Sequence, residues 1–95
     1  MFARSSSWTG TPQALQKWED NVDAVAAMVR GLPGVAGAMF FIDRSEGTAM
    51  TLTLWEDEEA ALLSDQHAEA SRATTIAATG VEIIGRGRYE VVTKF

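Results

Sequence analysis

The chain has no cysteine, one histidine, one tyrosine and two prolines, and only 8 Lys and Arg against 13 Asp and Glu. Without cysteine there is neither a disulfide to staple a small fold nor a thiolate to do chemistry. One imidazole without a thiol cannot complete a usual zinc or iron ligand set, so no metal is expected. No haem or flavin is expected either. The Gly85-Arg86-Gly87 element is not followed by a helix, so it is not read as a phosphate loop. The net charge of −5 argues against a nucleic-acid or anionic-membrane surface, since both need clustered cations. No apolar run approaches the ~20 residues of a membrane span, and the first residues lack the apolar core of a signal peptide. The composition therefore reads as a cytoplasmic protein.

What is there fits one domain spanning 1–95. A chain of this size buries only roughly 60–65 per cent of its unfolded surface, so its own core is thin. Its 46 per cent hydrophobic content then implies cover from a second subunit.

The local patterns are clear. Met1 to Trp8 reads as a strand, and Thr11-Pro12 as the N-cap and first residue of a helix. Leu15, Trp18, Val22, Val25, Val29 and Leu32 then recur at steps of three and four, predicting one helix with one apolar stripe, ended by Gly31 and Pro33-Gly34. Val35 to Asp43 and Thr48 to Trp55 predict two strands joined as a hairpin through Arg44 to Gly47. A second helix is expected from about Asp57 to Ala78, with Leu63, Gln66, Ala70, Ala73 and Ala77 inward and Leu62, His67 and Ile76 at the margins. Val81 to Phe95 predicts a last strand, bent near Gly85 and Gly87. The expected fold is α+β: a ferredoxin-like β-α-β-β-α-β antiparallel sheet with two helices on one face. Apolar residues occupy both sides of strands two and three, so the uncovered sheet face is expected to pair with a second copy.

Strand three alternates Met50, Leu52 and Leu54 against Thr51, Thr53 and Trp55, and then Glu56-Asp57-Glu58-Glu59-Ala60 opens a helix. This segment, with Leu32-Pro33-Gly34 after the first helix and the closing Arg88-Tyr89-Glu90-Val91, resembles the antibiotic biosynthesis monooxygenase family of dimeric α+β barrels. The resemblance covers essentially the whole chain. It implies a cofactor-free oxygenase acting on a planar aromatic or polyketide-like molecule held beside Trp55. In such enzymes an Asn four residues before the Trp, a Tyr six after it and an Arg on helix two assist. Here those positions hold Thr51 and Ala61, and the only arginine on helix two is Arg72. The haem-degrading branch needs a Trp early in helix two and an axial His late in it, whereas Leu63 stands near the first place and His67 lies half-way. The alternative is a non-catalytic dimeric module that binds a small ligand or serves a stress response.

The candidate site residues are Trp55 for stacking, Thr51 as a hydrogen-bond donor, His67 or Tyr89 as a proton carrier, and Arg72 as a further ligand contact. Trp55 also fits a plain core plug, because Trp is highly buried on average. His67 also fits a solvated surface position, since no partner is indicated to orient it; Ser64 and His67 at i, i+3 do not make a triad. The acids at 56–59 read as a solvated helix start. Arg4 and Tyr89 would hold an anionic or phenolic ligand if they faced the helix side of the sheet, and otherwise fit a salt bridge at its edge.

Overall fold

A computed structural model describes residues 1–95. Its elements are β1 (Phe2–Thr9), α1 (Pro12–Asp20), α2 (Val22–Arg30), β2 (Val35–Asp43), β3 (Thr48–Trp55), α3 (Glu58–Thr79) and β4 (Glu82–Glu90). The strands form one antiparallel sheet in the order β2-β3-β1-β4, the ferredoxin-like plan. Register runs from Phe2 opposite Trp55 to Thr9 opposite Thr48 between β1 and β3, so Arg4, Ser6 and Trp8 share a face with Thr53, Thr51 and Ala49.

The first helix departs from the expected single rod. It is interrupted at Asn21, whose N–H is shared between the carbonyls of Lys17 and Trp18, both at 3.1 Å. Asn21 keeps right-handed dihedrals, so the stripe from Leu15 through Trp18 to Val29 stays on one side across the break. The N-cap is as expected: Thr11 accepts from the Ala14 N–H at 3.1 Å, with Pro12 next. The stop differs. Gly31 stays right-handed at φ −85°, and the reversal falls on Gly34 at φ +77°. There the Gly34 carbonyl accepts from Glu56 N at 2.8 Å, and an added Cβ would lie 2.5 Å from that of Ala60. This glycine is therefore required both by its dihedral and by its neighbour.

Trp8, Leu15, Trp18, Ala14, Ala49 and Val81 make the core, and Trp18 meets Phe40 with ring centroids 6.3 Å apart. Only 16 of 95 residues are buried, so the core is as thin as expected. β4 ends earlier than the sequence pattern suggests. It stops at Glu90, and its register slips between the Ser7–Gly85 and Trp8–Ile83 pairs, where the bend was expected.

The largest correction concerns α3. The positions expected to face inward, Leu63, Gln66, Ala70, Ala73 and Ala77, are all exposed, as are Leu62, His67 and Ile76. The inner side is instead Ala61, Ser64, Ala68, Ser71, Thr75 and Thr79, small and mostly polar. Asp57 caps this helix by accepting from Ala60 N at 2.8 Å, and Gly80 ends it at φ +82°.

Gly34→Ala is expected to destabilise by about 2 kcal/mol, through a left-handed dihedral and the Ala60 clash. Gly31→Ala, in helical geometry where an added Cβ meets only the Met28 carbonyl at an ordinary 3.5 Å, should be neutral or stabilise by up to ~1 kcal/mol. Thermal melts of the two variants, in which ~1 kcal/mol moves the midpoint by about 4–8 °C, separate them.

Candidate functional site

The helices do not seal onto the sheet. Between them lies a cavity of about 70 Å³. Its floor is the helix-facing side of β1 and β3, namely Arg4, Ser6, Trp8, Thr51, Thr53 and Trp55, with Phe40 from β2. One wall, from α1 and α2, is apolar: Trp18, Val22, Val25, Met28, Val29 and Leu32. The other, from α3, is small and polar: Ser64, Ala68, Ser71, Arg72 and Thr75.

The three tryptophan-bearing positions behave differently. Trp55 is 1 % exposed and donates its indole N–H to Thr53 Oγ1 at 2.9 Å. Thr53 in turn points its hydroxyl at the Arg4 carbonyl at 3.5 Å, so Trp55 offers a ring face and no free donor. It is at once a plug and a wall. Trp8 is 3 % exposed, lines the same cavity, and its Nε1 has no hydrogen-bond partner in the protein. A buried unpaired donor costs about 1–3 kcal/mol, and Trp8 carries this one on a residue that lines the cavity. Trp18 packs in the core.

Arg4 lies in a central strand and is 9 % exposed, which removes the sheet-edge salt bridge as its account. It donates to Ser64 Oγ through Nη1, and its Nε pairs with Asp65 Oδ1 at 3.0 Å. Ser64 donates its own hydroxyl to the Ala61 carbonyl at 2.6 Å. Arg88 stands opposite Arg4 in the ladder, a like-charge pair that disfavours the sheet, and Asp65 answers it by holding Arg88 with its second oxygen. Burial lowers the Arg4 pKa from its ordinary value; Asp65 opposes this, and Arg72 and Arg88 add to the lowering. Arg72 is lowered chiefly by burial and next by Arg86. Both remain cationic at any ordinary pH.

Of the residues singled out from the sequence, Trp55, Thr51 and Arg72 come together in this cavity. His67 and Tyr89 do not. His67 falls between the inward positions Ser64 and Ala68 and opens onto a separate surface hollow shared with Met28 of α2. Tyr89 follows Arg88 in β4, so strand alternation turns it to the opposite sheet face, where it is 54 % exposed and lies across Gly87. Trp8, Ser64 and Asp65 are the residues sequence reasoning passed over. The signal for Trp8 was its alternation with Arg4 and Ser6; that for α3 was a stripe of small polar residues at helical spacing. No three His, Cys, Asp or Glu side chains are grouped as a metal would need, and no helix is long and apolar enough to cross a membrane.

No family model matches the sequence, and no curated protein matches it. Solved structures do. SnoaB from Streptomyces nogalater, a cofactor-independent oxygenase, superposes with a TM-score of 0.74 at 18% identity, over 98% of this chain and 94% of that one. The ActVA-Orf6 monooxygenase of Streptomyces coelicolor, solved with nanaomycin D, gives 0.75 at 15% identity, over 99% and 89%. The fold is that of the antibiotic biosynthesis monooxygenases. A candidate member from Deinococcus radiodurans reaches 0.78 at 12% identity, over 100% and 96%. Identities this low carry the fold, as the Trp55-Glu56 segment implied, and leave the reaction to the residues of the cavity.

Asp65→Asn should lower stability by roughly 2 kcal/mol, since it leaves Arg4 and Arg88 facing each other uncompensated. Ser64→Ala should cost about 1 kcal/mol. Urea unfolding of both variants checks the order; an Asp65→Asn variant as stable as the parent would rule out the bridge as a main tie between β1 and α3.

Proposed function

We propose that this chain binds a planar, hydroxylated aromatic molecule between Trp55 and the α1–α2 wall and directs its oxidation by dioxygen without a cofactor. The observation that carries this reading is the unpaired Trp8 N–H inside an aromatic-lined cavity of the monooxygenase fold. The chemistry needs the substrate in its ionised form. Arg4 and Arg72 would lower the pKa of a bound phenol or enol by charge, and Trp8 Nε1 and the Thr51 hydroxyl would donate to its oxygens. The substrate carbanion passes one electron to dioxygen, and the radical pair joins as a carbon hydroperoxide. Loss of the remaining C–H proton with cleavage of the O–O bond releases water, so a CH₂ and O₂ become C=O and H₂O.

The closed cavity is well below the ~300–1,000 Å³ of small-molecule sites, so an aromatic guest requires its mouth to move. Met28 at that mouth is 38 % exposed and unbranched, the kind of side chain that yields most readily. A second reading, a non-catalytic ligand-binding module, is favoured by one feature: no histidine, tyrosine or carboxylate lines the cavity to act as a base. In the oxygenase reading the base is solvent and the protein supplies only charge and donors.

We further propose a homodimer closed through the sheet face the helices leave bare. Met39 and Phe41 of β2 are 47 % and 41 % exposed there, and Tyr89 of β4, at the opposite edge of the sheet, is 54 % exposed. A stable pair would bury about 1,200–2,000 Å².

Trp8→Phe strands no hydrogen-bond partner but removes part of a ring buried in the core, so it is expected to cost about 1–2 kcal/mol while the chain stays folded. It should weaken hydroxyanthrone or quinone binding about fivefold or more, through the missing hydrogen bond. Thermal shift against such compounds, followed by oxygen uptake on each hit, tests this; a Trp8→Phe variant with parental affinity removes that donor from the site. Light scattering should give about twice the 10.3 kDa chain mass, with Phe41→Asp shifting the particle toward one chain.

A further inference from the structure

A second hollow, of about 410 Å³, adjoins the cavity and differs from it in kind: no hydrophobic residue lines it. Arg4, Arg72, Arg86 and Arg88 face only Asp65 and Glu69 across it, four positive charges against two negative. These are half of the 8 basic residues in a chain whose net charge is −5, so chance scatter is a poor account of their convergence. Asp65 is already committed to Arg4 and Arg88, while Arg72 and Arg86 pair with no carboxylate. Like charges held together in this way raise the energy of the empty site, and an anion between them returns that energy on binding. Arg4 and Arg72 line the apolar cavity as well, so the two spaces meet at these guanidiniums.

We propose that the arginine hollow is an anion subsite and that the ligand carries a carboxylate on its planar aromatic body. This rests on the reading of the cavity as an aromatic site. The ring would lie between Trp55 and the apolar wall, and the carboxylate would reach past Arg4 and Arg72 toward Arg86. A carboxylate conjugated to a ring stays flat, as a narrow cavity requires, and the guanidinium fork matches its two oxygens.

The test titrates the intact protein with 2-naphthoate and, as the neutral counterpart, 2-naphthamide, following the arginine Nε–H and tryptophan indole N–H signals by NMR. The carboxylate is expected to bind at least about tenfold more tightly, to shift the Arg72 and Arg86 signals together with that of Trp8, and to lose its advantage as salt rises. Arg86→Gln, at an exposed position without a partner, should reduce the preference severalfold and leave 2-naphthamide binding unchanged. Equal affinity for the two probes, or indole shifts with unmoved arginine signals, overturns the anion subsite while the aromatic cavity stands. Arginine shifts with silent indoles overturn the cavity reading, and the claim of one ligand spanning both spaces falls with it.

Discussion

Arg4 is the side chain around which the rest is arranged. It rises from a central strand, under the N-terminal third of a 22-residue helix, where a flexible cation with five donors keeps little contact with water. Left unpaired there it would cost several kcal/mol. The helix above it is constrained in turn. The inner side of α3 is Ala61, Ser64, Ala68, Ser71, Thr75 and Thr79, which remove little apolar surface from water, so hydrophobic burial alone holds it weakly. Ser64 and Asp65 meet both needs at once: they satisfy Arg4, neutralise the Arg4–Arg88 pair and fix the helix over the sheet.

A cavity follows from that choice of small residues. Large side chains on α3 would have interleaved with the Thr51, Thr53 and Ser6 side of the sheet and filled the space. Instead the apolar contribution comes from one side only, through α1 and α2, and the gap lies between a greasy wall and a hydroxylated one. The unpaired Trp8 N–H belongs to the same arrangement. A protein core would ordinarily eliminate such a donor, and here it survives on a residue that lines the cavity.

Much of this was legible in the sequence, and the misses share a cause. Strand alternation and the Leu15–Val29 stripe located the four strands and the two helical stretches, though not the break at Asn21, and the Trp55-Glu56 segment pointed to the fold, because periodic apolar residues and caps act over short range. The face of α3 was misread because periodicity was sought among its larger residues, and in this helix Leu62, Leu63 and Ile76 point away from the sheet. His67 and Tyr89 were candidates by chemical type. Their exclusion from the cavity depends on a rotation of about 100° per helical residue and on strand parity, which one residue of error reverses. Thr51 and Trp55 line the cavity because strand parity turns them to the helix side, and Arg72 does so because it borders the inner stripe of α3.

Net charge misleads in the same way when it is read as a uniform property. The chain is acidic, and its acids crowd exposed positions such as Glu56, Asp57, Glu58 and Glu59 at the start of α3. An anion is repelled by most of that surface. Arg72 and Arg86, by contrast, stand without a carboxylate partner beside the aromatic-lined cavity, and field lines concentrate in such clefts. On the proposed reading, an acidic exterior discourages anions that would bind through charge alone, which leaves the advantage to a molecule that also places an aromatic ring against Trp55.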